Sequence, residues 1–343
     1  SSRILISGVA GFIGFHIAKS LLKDGYTVYG IDNLNDYYNT DLKKKRLKII
    51  SDYKNFKFKK VDITNYKNLN KIFIDFKPSK VLHLAAQAGV RYSLVNPFVY
   101  LNSNLVGFMN IIELSKEYKV NGFIYASSSS VYGSNKKIPF SEDDITDSPV
   151  SLYAATKKSN ELIAHAYSKV HNLNTTGLRF FTVYGPWGRP DMALFKFTKG
   201  IINKKKIDIY NHGKMYRDFT YIDDVVDAIT MLINKAPNLK QIGKIKNDSL
   251  SYAAPFRTIN IGNTKKVYLL EFIKTLEQEL GLKAFKNFMP IQKGDVKATL
   301  SSTTLLKKLT GYNSRTNFKT GIKNFLKWYL SYYKKGKKFY KFN

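Results

Sequence analysis

Arg3-Ile4-Leu5-Ile6-Ser7-Gly8-Val9-Ala10-Gly11-Phe12-Ile13-Gly14 is the stretch whose reading decides the fold. An apolar run typical of a buried strand passes directly into three glycines, and an amphipathic helix follows to about Lys23. Strand, glycine-rich turn and helix together make a cradle for a diphosphate. The glycines let backbone N–H groups approach the phosphates, and the helix N-terminus favours negative charge. The spacing is Gly-x-x-Gly-x-x-Gly rather than Gly-x-Gly-x-x-Gly, and a tight turn that merely starts a helix is the plainer alternative. Gly8, Gly11, Phe12, Ile13 and Gly14 are the first candidate cofactor contacts. The next apolar run, Thr27 to Ile31, ends in Asp32. A carboxylate there accepts from the adenosine ribose hydroxyls and repels a 2′-phosphate, which favours NAD over NADP.

Working outward, strand and helix patterns keep alternating. Phe56 to Val61 leads into Asp62-Ile63, an expected adenine contact. Val81 to Ala86 reads as a buried strand ending in small residues, where a cofactor can lie close. Asn102 to Lys119 reads as a helix, Gly122 to Ser127 as a strand and Tyr153 to Val170 as a helix. This rhythm predicts an α/β fold, a Rossmann-type doubly wound parallel sheet with its ligand at the carboxyl ends of the strands. His83, inside a strand, reads as a core histidine. No His/Asp/Glu group has metal-ligand spacing, so no metal is expected.

Tyr153 and Lys157 are four residues apart, which puts both on one helix face. An ammonium so placed stabilises the phenolate and lowers a pKa that starts near ~10, making a base usable near neutrality. Ser127-Ser128-Ser129-Ser130 closes the preceding strand. A hydroxyl there can bond a substrate oxygen beside Tyr153; ordinary turn serines are the alternative.

Composition narrows the class. With 343 residues, 44% apolar and 14% aromatic, the chain has ample material for a core. Zero cysteines exclude disulfides, thiolate metal sites and a cysteine nucleophile. No apolar run reaches membrane-spanning length and no leader is visible, so a cytoplasmic enzyme is expected. The net charge of +31 admits a nucleic-acid or membrane partner. Yet only Arg3, Arg46, Arg91, Arg179, Arg189, Arg217, Arg257 and Arg315 are arginine, and the lysines are scattered in short groups such as Lys43 to Lys45, Lys204 to Lys206 and Lys334 to Lys338. Nucleic-acid readers use arginine forks on a clustered face, so a solvated lysine surface is the preferred reading, with no nucleic acid and no membrane as partners. Against that background a rare arginine marks a place that needs a planar fork. The aromatic, basic tail Phe325 to Asn343 is read as a solvated terminal helix rather than a membrane anchor.

Taken together, the glycine fingerprint, the serine run and Tyr153/Lys157 resemble the extended short-chain dehydrogenase/reductase family of nucleotide-sugar enzymes. Further stretches resemble its UDP-glucuronate 4-epimerases: Asp32 to Tyr38, His83 to Ser93, Arg179 to Ala193, Arg217 to Asp224, Asn260 to Asn263 and Met289 to Val296. The resemblance spans roughly residues 3 to 330. It implies tightly held NAD contacted by Gly8, Gly11, Phe12, Ile13, Gly14, Asp32, Asn33, Asp62, Ile63, Leu84, Ala86, Asn104, Tyr153 and Lys157. It implies catalysis by Ser128, Tyr153 and Lys157, and UDP-sugar contacts from Arg91, Ser128, Ser129, Thr182, Arg189, Arg217, Gln292 and Asp295. Gln292 stands where a second arginine is common in the wider family. Residues 1–183 are then the NAD-binding domain, with returning segments near 216–235 and 257–263, and 184–343 are mainly a substrate lobe.

Thr182 and Arg189 resemble the carboxylate-holding residues of the glucuronate enzymes. The acidic pair of 4,6-dehydratases and the glutamate of UDP-glucuronate decarboxylases are replaced by Ser129-Ser130. Interconversion of UDP-glucuronate and UDP-galacturonate through a 4-keto sugar is therefore the expected reaction. Epimerisation of another UDP-hexose or UDP-N-acetylhexosamine is the alternative, and UDP-glucuronate decarboxylation a weaker one. Surplus apolar residues at helical spacing (Leu105, Phe108, Met109, Ile112; Leu162, Ile163, Ala166, Tyr167) predict a homodimer built on two helices.

Overall fold

In the computed structural model, which describes residues 2–333, twelve strands are found among the described residues. They are β1 (Arg3–Ser7), β2 (Thr27–Asp32), β3 (Phe56–Lys60), β4 (Lys80–His83), β5 (Phe123–Ser128), β6 (Thr175–Phe180), β7 (Thr182–Tyr184), β8 (Lys206–Ile209), β9 (Tyr216–Tyr221), β10 (Phe256–Ile261), β11 (Lys266–Tyr268) and β12 (Phe285–Phe288). Seven of them form one all-parallel sheet in the order β10-β6-β5-β4-β1-β2-β3. The order reverses between β1 and β4, and the crevice beyond their carboxyl ends is where such sheets take ligands. Both ends of that crevice carry marked residues: Ser7 pairs with His83, and Ser128 pairs with Phe180.

The first helix, Phe12–Lys23, begins on the glycine turn and buries Phe12, Phe15, Ile17, Ala18, Leu21 and Leu22. Its close approach depends on Gly14, where an added Cβ would stand 2.1 Å from the Gly8 carbonyl oxygen. Gly8 has a φ of +73°, and a Cβ there would meet the Ala85 nitrogen at 2.8 Å. His83 is buried and bonds the Ser7 hydroxyl through Nδ1 at 2.7 Å, as a core histidine should.

Two elements differ from the sequence reading. β4 stops at His83, so Leu84 to Ala86 are not strand: the Leu84 N–H is shared between the Ser7 carbonyl (3.2 Å) and hydroxyl (3.1 Å), and the Ala85 N–H turns to that hydroxyl at 3.2 Å. The helix expected over Asn102 to Lys119 opens as a π-helical segment, Leu101–Val106, before the α-helix Gly107–Glu117. Buried Asn104 sits in that wide turn.

β7, β9 and β11 form a mixed three-stranded sheet, and β8 and β12 a parallel pair. Of the segments expected to return, β10 pairs with β6 at the edge of the large sheet. The helix Ile222–Leu232, which follows β9, lies against the first helix. One apolar cluster runs from Ile4 and Phe15 through Phe195, Phe219 and Phe272 to Phe325, so the large sheet and the smaller ones share a core. The terminal helix Phe318–Tyr333 packs into it through Ile322, Phe325, Leu326 and Tyr329. The tail expected to be solvated is thus core at Phe325, Leu326 and Tyr329, and its residues 334–343, Lys334 to Lys338 among them, lie outside the described residues.

Candidate active site

Two clefts meet over the carboxyl ends of the large sheet. The first is lined by Gly8, Gly11 to Gly14, Asp32, Asn33, Ile63, Leu84 and Ala86, and its far wall by Ser128, Tyr153 and Lys157. Backbone groups build its near end. Asp32 accepts the Ala10 N–H at 3.1 Å and the Leu34 N–H at 2.9 Å. Burial pushes its carboxyl pKa up, against those hydrogen bonds and the charges of Lys43 and Arg46. The glycine contour, the helix N-terminus and this carboxylate fit a dinucleotide: the glycines let the turn close tightly on its own backbone, which leaves the helix N-terminus open to a diphosphate.

Asp62 stands back from the cleft wall and accepts the Asn33 amide at 2.9 Å. Although burial raises its pKa, hydrogen bonds from Asn33 and Thr64 leave it below the usual range. Asn104, expected at the cofactor, is used otherwise. Its amide accepts from the Gln87 N–H (2.8 Å) and donates to the Gln87 carbonyl and the Thr156 hydroxyl (both 3.1 Å), which spends the group on the Gln87 backbone. Its neighbour Ser103 lines the cleft instead.

At the junction, Tyr153 and Lys157 project from the helix Leu152–His171, capped by the Ser151 hydroxyl on the Ala154 N–H. Burial pushes the Tyr153 phenol up, while a hydrogen bond from Ser128 and the charge of Arg189 pull it down. The expectation of a phenol lowered by Lys157 is corrected here: the ammonium donates to the Ala126 carbonyl at 3.0 Å, and its own pKa is pushed down to about 8 by burial. Ser128 Oγ also accepts the Ser130 N–H at 3.1 Å. Ser129 begins a one-turn 3-10 helix, Ser129–Tyr132, and lines neither cleft.

Behind the serine run lies a buried polar scaffold. Ser127 donates to Glu161 at 2.7 Å, and Arg179 grips both Glu161 oxygens at 2.8 and 2.9 Å. Arg179 also reaches Tyr132, whose hydroxyl bonds Asn260. The Asn260 N–H in turn donates to Glu142 at 2.8 Å.

The second cleft, a cavity of about 240 Å³, is lined by Arg91, Thr182, Arg189, Tyr210, Arg217 and Asp295, with Phe219 and Phe272 as apolar walls. Val183, Arg189 and Met192 line both clefts. Arg217 donates to Asp295 at 2.8 Å and to the Val296 carbonyl at 2.6 Å; Arg91 reaches the same carboxylate at 3.5 Å and lies over the Tyr210 ring. Burial lowers the pKa of Arg217, with Asp295 opposing. Gln292 does not line the cavity; its side-chain oxygen is buried without a partner among the described residues.

Sequence reasoning missed what holds the Arg189 segment. Fully buried Arg46 donates to the Ala10 carbonyl (2.8 Å) and the Tyr38 hydroxyl (2.7 Å), and also to the Trp187 carbonyl. It thereby ties the 185–190 segment to the glycine turn. His16 bonds the Pro186 carbonyl at 2.9 Å, and burial drives its pKa down to about 4. The rarity of arginine was the available signal for Arg46.

A dinucleotide cradle opening onto a Ser–Tyr–Lys cluster, with a cation-lined cavity beyond it, is laid out to exchange a hydride and a proton with a hydroxyl-bearing carbon. The chain belongs to the NAD dependent epimerase/dehydratase family, whose sequence profile matches residues 4–247. It is 55% identical over 335 residues to Protein CapI of Staphylococcus aureus, covering 97% of this chain and 100% of that one. It is 46% identical over 335 residues to a probable UDP-glucuronate 4-epimerase of Rhizobium meliloti, covering 97% and 98%. Among solved structures, UDP-glucuronic acid 4-epimerase from Bacillus cereus in complex with UDP-glucuronic acid and NAD superposes with a TM-score of 0.85 at 33% identity, covering 96% of this chain and 100% of that one.

Proposed function

We infer that the chain is a nucleotide-sugar 4-epimerase that interconverts UDP-glucuronate and UDP-galacturonate with tightly bound NAD. The carrying observation is Arg189, which lines both clefts at their junction and whose charge acts on the Tyr153 phenol. A cation beside the reacting hydroxyl suits a sugar with a carboxylate one carbon away, as the relatives' substrates have.

Tyr153 takes the proton of the C4 hydroxyl, and Ser128 bonds the same oxygen. Lys157, held on the Ala126 carbonyl, keeps an ammonium in the cofactor cleft beside Tyr153. NAD, when bound, supplies a reversible acceptor for the hydrogen that leaves C4. The 4-keto sugar then turns over in the cavity while Arg217 keeps hold of the diphosphate, and Tyr153 returns the proton to O4. In the keto form the sugar is a β-keto acid prone to lose CO₂. Thr182 and Arg189 hold its carboxylate away from alignment with the ketone. Ser129 and Ser130 offer no acid–base pair for elimination, which favours epimerisation over dehydration.

The residues up to 183, with returning segments near 216–235 and 257–263, serve the cofactor, and the others from 184 onward serve mainly the UDP-sugar. The working unit is a cytoplasmic homodimer joined through a face that includes exposed Leu101, Leu162 and Val170. Phe108 and Ile112, named from the sequence for that face, are instead buried within the chain. Among the described residues no helix is long and apolar enough to cross a membrane, and no group of metal-ligating side chains is found. Incubating purified protein with UDP-glucuronate and no added NAD tests the reading: UDP-galacturonate is expected, and its absence with tightly bound NAD present refutes it.

A further inference from the structure

Arg189 does not meet the junction as an isolated cation. Its Nε and Nη2 are taken by the two oxygens of Asp191, at 3.0 and 2.6 Å. Asp191 also accepts from the Tyr37 hydroxyl at 3.3 Å. Gly89 leaves room for that hydroxyl, since a Cβ there would stand 2.4 Å from the Tyr37 oxygen. The ion pair is largely enclosed, its side chains 25% and 21% exposed. Among the described residues Nη1 of Arg189 has no acceptor, so it is the edge left for a ligand.

Epimerisation makes two opposed demands on such a cation. The sugar carboxylate must be held while C4 is a ketone, and the hold must yield when the ring turns over. A bare arginine–carboxylate fork uses two parallel charge-assisted bonds and would favour the starting pose strongly. With Nε and one Nη2 hydrogen taken, only the Nη1–Nη2 end remains for the sugar, and a fork there is weakened because Asp191 already offsets much of the charge.

We propose that Asp191 is a positioning residue that aims Arg189 and weakens its grip on the sugar carboxylate, so that the grip survives the keto state yet releases for the turn. The proposal rests on the UDP-glucuronate reading given above. It goes beyond that reading by assigning the specificity of the site to the balance of the Tyr37–Asp191–Arg189 chain rather than to the arginine alone.

Asp191→Asn keeps the size of the side chain and one acceptor oxygen and removes the charge. KM for UDP-glucuronate should fall about threefold to tenfold and kcat should fall with it, the pattern of a ground state bound too well. The inhibition constant of UDP-glucose, which has no carboxylate, should stay within about twofold. Tyr37→Phe removes only the donor to Asp191 and leaves a more basic carboxylate against Arg189. KM for UDP-glucuronate should then rise by about twofold to threefold, the opposite sign.

An Asp191→Asn enzyme whose KM for UDP-glucuronate rises or stays unchanged, or whose two sugars shift alike, overturns the proposal. Should that variant not fold, a Tyr37→Phe enzyme with unchanged or lower KM overturns it equally. Wild type measured in parallel separates the two levels. A wild type that makes no UDP-galacturonate refutes the function, whereas an active wild type without the paired fall refutes the role of Asp191 alone.

Discussion

The cofactor cleft and the sugar cavity are built by different means. The cofactor cleft takes its shape from backbone: three glycines, a helix N-terminus and the ends of adjacent parallel strands. The sugar cavity takes its character from charged side chains held in pairs, Arg189 with Asp191 and both Arg91 and Arg217 with Asp295. A backbone site recognises what every NAD molecule shares. A side-chain site can be retuned by single substitutions, so specificity belongs in the second region while the chemistry belongs where the two meet.

The largest expected effect lies at that meeting point. Tyr153→Phe should lower turnover at least ~10²-fold, the scale for losing a general base, with NAD still co-purifying at wild-type stoichiometry. Cofactor lost along with activity would show that the cleft is not held by backbone alone.

Next comes the side-chain region. Arg189→Ala should lower kcat/KM for UDP-glucuronate by roughly 10- to 150-fold, the cost of about 1.5–3 kcal/mol for a charge-assisted bond. UDP-glucose binding should change far less, and a UDP-4-keto-pentose should appear as CO₂ escapes the freed carboxylate. Equal losses on both sugars and no keto-pentose would mean that Arg189 only pins the 185–190 segment.

A smaller effect concerns the seam between the regions. Burial raises the Glu142 pKa to about 7, with the Asn260 N–H and Arg179 opposing. Folded Glu142 therefore keeps a proton that the unfolded chain releases near pH 4.5, so its stabilising contribution is complete below that pH and is lost as pH rises through about 7. Glu142→Gln should leave thermal stability at pH 4 nearly unchanged and raise it at pH 8 by up to about 3 kcal/mol. Melting curves of both proteins at the two pH values decide this. Smallest for the chemistry is Leu162→Lys on the exposed apolar face. Light scattering should show a halved mass, with turnover within about threefold of wild type.

The cofactor cleft was readable because its residues lie in contiguous runs with regular periods. Arg3 to Gly14 carries strand, turn and helix in order, and Asp32 closes the next strand. Tyr153 and Lys157 were readable because helical spacing fixes their shared face. What remained hidden depends on tertiary proximity. Asp191 lies two residues from Arg189 in irregular chain, where sequence distance says nothing about orientation. Arg46 reaches carbonyls about 140 residues away, and a carbonyl has no signature in a sequence. Asn104 is implied at the cofactor by the resemblance alone, and the sequence does not show that a π-helical turn points its amide at Gln87. The direction of the Tyr153 shift was hidden too, since burial outweighs Ser128 and Arg189 while Lys157 faces Ala126.

The central claim is that the two clefts share one reacting carbon, oxidised and then reduced in place. UDP-glucuronate carrying deuterium at C4 tests it most directly. The account predicts UDP-galacturonate with the deuterium still on C4 and none in the water. Product with hydrogen at C4, or label released to solvent, would contradict it.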